Sequence, residues 1–165
     1  MAQIIATSLP FKYTCINKAY APGMVPQRGP LATSTYLNPL SGRFVFFTSS
    51  TYRVALSGDT TIAGWVDEVN NSNSTGSVAG DDAAIIDDLN AVFEIPCTGA
   101  TLTATNLLST YQHASFDLAT AGSALTLVQS VNLAGTSQKV VRVVGGNVTR
   151  QTVFVKINPA KLQAQ

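Results

Sequence analysis

His113 is the chain's one histidine, so any Ser-His-Asp or Cys-His chemistry would have to run through it. Such a triad needs a nucleophile raised on a sharp strand-to-helix turn, and the sequence holds no G-x-S-x-G elbow. Zinc asks for several thiolate or imidazole ligands, and Cys15, Cys97 and His113 offer too few at the wrong spacings. His113 therefore reads as a strand-edge residue. Asp81, Asp82, Asp87 and Asp88 are clustered oxygen donors of the kind calcium takes. The D-x-D-x-D-G spacing is missing, however, and solvated turn aspartates are the better reading. Glycoside hydrolysis needs two carboxylates, one of them in apolar surroundings; Glu94 lies in a strand pattern with no such second acid. A G-x-x-x-x-G-K-S/T phosphate loop is absent. Trp65, beside Gly64, could stack a ligand, although a lone Trp in a strand is more often core or interface. The expectation is a protein that is not an enzyme and takes no metal or cofactor.

Composition sets the class of fold. The chain has 165 residues, enough for one domain or two small ones. A chain of this size buries enough surface to need no disulfide, so Cys15 and Cys97 are expected to be free, buried thiols. Charged residues are 12% of the chain, about half the usual ~25%. Ser and Thr fill 33 positions, and there are two glutamates and five lysines. That is too few for solvated amphipathic helices and points to a β protein. The net charge is +1 with Lys and Arg scattered singly, which gives no footprint for a nucleic acid. Low charge suits a surface largely covered by other protein. No apolar run approaches the ~20 residues of a membrane span, and the N-terminus carries no basic-then-apolar signal pattern.

The elements follow from period-2 patterning. Leu125–Leu133, Lys139–Val144 and Thr152–Ile157 read as a meander of three antiparallel strands, reversing at Gly145-Gly146-Asn147. In the last strand Val153, Val155 and Ile157 point one way, and Phe154 and Lys156 the other. Arg43–Thr48 is apolar on both faces, as a central strand is, and Thr51–Leu56 and Thr61–Val66 follow it. The polar run Asn70 to Gly80 reads as an exposed loop and a boundary between two β subdomains. Ala83–Ile86 and Ala91–Pro96 read as a hairpin turning at Asp87–Asn90. Thr103–Tyr111 is the one helix, capped by Thr103 or Thr105, with Leu107, Leu108 and Tyr111 on one face. Residues 160–165 are expected to fray.

Residues 1–40 break the pattern. Five prolines punctuate them and exclude helix and interior strand. Between the prolines stand Phe11, Tyr13, Tyr20, Met24, Val25 and Tyr36, whereas a disordered linker is poor in aromatics. The reading is an extended arm too thin to bury its own anchors. It must lie on the rest of its own chain, on a sister subunit or on a partner. The whole is an all-β protein: a small barrel or sandwich of antiparallel strands over 41–159, with one short helix and an extended N-terminal arm.

Taken together, Thr61–Val66, Ala91–Pro96 and the closing pair Lys139–Val144 and Val153–Pro159 resemble the small decoration, or cement, proteins of tailed-bacteriophage capsids. The resemblance covers about residues 43–159. It implies a β-rich virion protein on the outer surface of the head, bound where major capsid protein subunits meet. It also implies a trimer or dimer that holds an expanded capsid against internal DNA pressure. The Pro-rich start and the loop at 70–80 depart from a compact decoration barrel. In this reading Phe11, Tyr13, Tyr20, Met24, Val25 and Tyr36 contact the capsid or a sister subunit, and neither nucleic acid nor membrane is a partner. The rival is a carbohydrate-binding or adhesive β module with Trp65, Tyr52 and the 70–80 loop at its site.

Overall fold

Strand alternation in this chain resolves into two closed barrels. The computed structural model describes residues 14–16, 27–32, 43–70, 80–122 and 128–163. The first barrel is built from β2 (Gln27–Pro30), β3 (Arg43–Thr48), β4 (Thr51–Val54), β5 (Gly64–Asn70) and β6 (Asp82–Ile86). Their order is β2-β6-β5-β3-β4. The edges then meet: Leu31, just past β2, bridges Tyr52 of β4, and Ala32 N donates to the Tyr52 carbonyl at 2.7 Å. Leu31, Val45, Tyr52, Val54, Val66, Ala83 and Ile85 form one buried cluster with Ala63. A barrel this narrow needs small residues: a Cβ on Gly29 would stand 2.6 Å from Tyr52 Cε2. Ser49 and Ser50 close the β3–β4 hairpin at φ 49° and 65°, the signature of a type I′ turn made without glycine.

The second barrel comprises β7 (Val92–Thr98), β8 (Ser115–Ala121), β9 (Val128–Asn132), β10 (Val141–Asn147) and β11 (Thr152–Ile157), in the order β7-β11-β10-β8-β9. A short parallel contact, Cys97↔Val131 and Thr98↔Asn132, brings β9 back to β7. The start of β7 pairs instead with β1 (Thr14–Ile16). Phe93, Ile95, Phe116, Leu118, Val131, Val141, Val143, Val153, Val155 and Ile157 are buried together. In β11 the expected alternation holds, with Val153, Val155 and Ile157 buried and Phe154 and Lys156 half-exposed.

The outer face of the first barrel packs on the second. Phe44 meets Trp65 edge-on at 4.9 Å and Phe93 at 5.4 Å, while Trp65 and Phe93 stack at 4.8 Å. All three rings are at most 2% exposed. Burying each is worth about 1.5–3 kcal/mol, and each ring pair adds about 0.5–1.5 kcal/mol. A second link is the C-terminus. After the 3₁₀ turn Pro159–Lys161, Leu162 bridges Ile62, and Gln163 N donates to the Ile62 carbonyl at 2.8 Å. Residues 162–163 are thus pinned rather than frayed.

Thr103 does cap a helix. Asn106 N donates to its Oγ1, and Thr103 N donates to Asn106 Oδ1. Only α1 (Ala104–Asn106) is α-helical; Leu107–Tyr111 winds as a π turn. Leu107 and Tyr111 pack on the core, but the wider winding leaves Leu108 70% exposed.

Several connections differ from the sequence reading. The three-strand meander is interrupted, because β8 lies between β9 and β10. Gly145 and Gly146 are strand, not turn; a bulge precedes Gly145, and the reversal falls at Val148–Gln151. Steric room explains them: a Cβ on Gly146 would stand 3.0 Å from the Thr152 carbonyl and 3.1 Å from Leu102 Cδ2. Asp82–Ile86 and Val92–Thr98 are both strands but not a hairpin, since they belong to different barrels. The division therefore falls at 87–91. Residues 70–80 instead join β5 to β6, paired from Asn70↔Asp82. The arm at 1–40 is not separate either. Residues 14–16 pair with β7, and 27–32 supply both a strand and the closure of the first barrel.

Candidate functional site

Among the described residues, the side chains picked out by their chemistry have definite places. His113 is exposed at φ 70°; its N–H donates to the Val143 carbonyl, and its carbonyl accepts from Arg142 Nε. Asp82 pairs with Arg28 at 2.8 Å, and Asp88 Oδ1 accepts from Asn90 N, as a turn aspartate does. These acids lie at opposite ends of β6. Among the described residues, no group of three or more His, Cys, Asp and Glu comes together. Trp65 and Tyr52 are 2% and 3% exposed, so neither ring is a stacking platform and the carbohydrate reading loses both. Phe11, Tyr13, Tyr20, Met24, Val25 and Tyr36 lie outside the described residues, as do 71–79 of the polar loop.

Cys97 is free and half-buried. Its Sγ donates to the Gln151 carbonyl, and burial pushes the thiol above its ordinary pKa, which keeps it protonated and a poor nucleophile. β1 sets Cys15 opposite Phe93, four residues before Cys97 along β7. That is about 13 Å in an extended strand, beyond disulfide reach.

Apart from Glu94, the tightly held polar residues are ones that the pattern did not single out. Gln129, fully buried on β9, accepts from Phe44 N at 2.8 Å and donates to the Phe44 and Ala55 carbonyls. Gln163 treats Phe47 in the same way, and Gln151 treats Leu102. Asp117 accepts from the successive N–H groups of Ser137, Gln138 and Lys139, and so fixes the loop between β9 and β10. Glu94, 1% exposed, takes Thr152 Oγ1 and Arg150 on one oxygen. Arg53 forks onto Asp59 at 2.8 Å through both terminal nitrogens and lies 4.3 Å over the Phe46 ring. The Asp59 hydrogen bond raises the guanidinium pKa further, so Arg53 stays charged. One sequence signal could have found Gln129: an uncharged polar residue at an inward position of an apolar strand.

Arranged this way, the polar groups hold backbone in place rather than converge on a reacting atom. What the body presents outward is surface, including exposed Leu56, Leu89, Leu108 and Val148. Comparison with protein-family models, curated proteins and solved structures finds no match to this chain.

Proposed function

We propose that the chain is a structural virion protein. It binds the outer surface of a tailed-phage capsid where major capsid subunits meet, and it stabilises the head. The observation that carries this reading is the construction of the body. Two closed barrels are locked by the Phe44–Trp65–Phe93 joint and by Gln129, and both Asp117 and Glu94 serve the scaffold. A body so pre-ordered loses little entropy on docking, which is what a binder that gains its energy from contact area requires. The segments that resemble cement proteins build this joint and the wall of the second barrel, so the likeness falls on the load-carrying part of the fold.

The test is occupancy. Purified protein is mixed with expanded phage heads lacking their decoration, sedimented and counted, and the heads are then heated. The expected result is saturable binding and a higher temperature of head disruption. Heads that sediment bare at saturating protein overturn the proposal.

A further inference from the structure

The ten cations look scattered in sequence, but the fold gathers four of them at one end of the β10–β11 hairpin. Arg142 and Lys156 stand opposite each other across the two strands. Both lie on the outer face, since the alternating neighbours Val141, Val143, Val155 and Ile157 are buried. Lys139 and Lys161 adjoin them, both tied to Asn158: its side chain donates to the Lys139 carbonyl, and its carbonyl accepts from Lys161 N. From residue 139 to residue 142 the chain covers at most about 10 Å, so the patch is compact.

No carboxylate pairs with these cations. Seven of the nine acids fall within residues 59–88, in or beside the first barrel. The other two, Glu94 and Asp117, are buried, Glu94 on Thr152 and Arg150 and Asp117 on the N–H groups of residues 137–139. Among the described residues none of the four cations is in an ion pair. Like charges directly opposed on an antiparallel pair repel, so Arg142 and Lys156 cost stability unless an outside anion relieves them.

The local structure also prepares Arg142. His113, at φ 70°, sets its carbonyl 3.2 Å from Arg142 Nε. That left-handed backbone is costly for a residue other than glycine, and the Val143 carbonyl secures it by accepting the His113 N–H at 2.8 Å. The guanidinium is thus anchored through one nitrogen. Its two terminal nitrogens have no partner among the described residues and match the paired oxygens of a carboxylate. Phe154, half-exposed on the same face as Lys156, lies against Gly145, where a Cβ would stand 3.1 Å from the ring. An apolar ring beside opposed cations suits a polypeptide that carries acids next to an apolar residue.

We infer that this face of the second barrel docks a carboxylate-rich segment of a partner protein. A long polyanion fits less well. Residues 27–90 hold three arginines against seven acids, a net of −4, and that field repels a run of phosphates passing beyond the patch. Four cations also release few counterions, so they gain little from a nucleic acid. This inference does not rest on capsid binding.

Titration of the full chain with a short oligoglutamate peptide ending in leucine, followed by NMR, tests it. The expected result is saturable shifts confined to residues 139–144 and 152–161 and to the Arg142 side-chain N–H. Affinity should fall at least about tenfold by about 0.5 M salt. Arg142→Gln/Lys156→Gln is expected to lose the binding without lowering the melting temperature, because it also removes the repulsion. Lys139→Gln/Lys161→Gln, which leaves the His113 contact alone, is expected to weaken it as well and serves should the first variant fail to fold. Arg28→Gln, which removes an exposed cation of the first barrel, should bind the peptide unchanged. No saturable shift at low salt overturns the inference, as does an affinity indifferent to salt or an equal loss in Arg28→Gln. A DNA duplex that binds this face more tightly than the peptide also overturns it, assigning the cations to a polyanion.

Discussion

Replacing Gln129 tests whether the joint between the barrels depends on one buried amide. Gln129→Leu keeps the volume and removes three hydrogen bonds, at 2.8, 3.1 and 2.8 Å. The Phe44 carbonyl retains Ala55 N, but Phe44 N–H and the Ala55 carbonyl lose the amide at fully buried positions. At about 1–3 kcal/mol for each of the two orphaned groups, the loss is roughly 2–6 kcal/mol. That is a large part of a typical 5–15 kcal/mol total and lowers Tm by roughly 4–24 °C for a chain of this size. Gln129→Glu sharpens the test. Its carboxylate can still accept from Phe44 N, but its other oxygen then faces two carbonyls, so the folded state favours the protonated acid and raises its pKa. The unfolded acid titrates near about 4.3. Above that pH the native state binds the extra proton, so stability falls as pH rises and the penalty is smallest near pH 4. Urea titrations of both variants at pH 4 and pH 7 measure this. A Gln129→Leu cost below about 1 kcal/mol, or a Gln129→Glu cost equal at both pH values, refutes the account.

Other outcomes follow from single features of the fold. Ser50→Gly relieves a left-handed backbone at the β3–β4 turn and should add about 0.5–1 kcal/mol by chemical denaturation. Asp117→Ala strands the N–H groups of residues 137–139 and should cost about 2–4 kcal/mol, with faster hydrogen exchange confined to that loop. Deleting residues 1–32 removes β1, β2 and the Leu31 closure. Circular dichroism and near-ultraviolet spectra should then show an unfolded or loosely packed chain rather than an intact body.

Strand patterns were legible because each depends on residues two apart. Arg43–Thr48, Thr152–Ile157 and the Thr103 cap stand where local periodicity and hydrogen-bonding chemistry put them. Connectivity was not legible, because it depends on partners far away in sequence. Leu31 meets Tyr52, and Cys97 meets Val131, through contacts of one or two residues that leave no periodic trace. Gly145-Gly146 carries the composition of a turn, yet the glycines are there because Phe154, Leu102 and Leu107 crowd the strand. The prolines at 26 and 30 likewise suggested an extended arm rather than a strand of the body. Pro30 is tolerated at the end of β2, on an edge completed by the neighbouring Leu31.

The scarcity of charge and the use of glutamine are one design. Closing a barrel of five short strands leaves strand ends whose backbone groups face no strand. Phe44 lies beyond the end of β4, Phe47 beyond the start of β5, and Leu102 in no strand at all. Each of these residues has both its N–H and its carbonyl paired by one glutamine amide, from Gln129, Gln163 and Gln151. An amide carries a donor and an acceptor side by side, as a backbone peptide does, and so can stand in for a missing strand. A carboxylate or a lysine offers only one half of that pair and adds the cost of burying a charge, several kcal/mol when unpaired. A fold that must finish so many strand ends in its interior therefore selects amides over charges. The 12% charged content that first suggested a covered surface is partly explained from within.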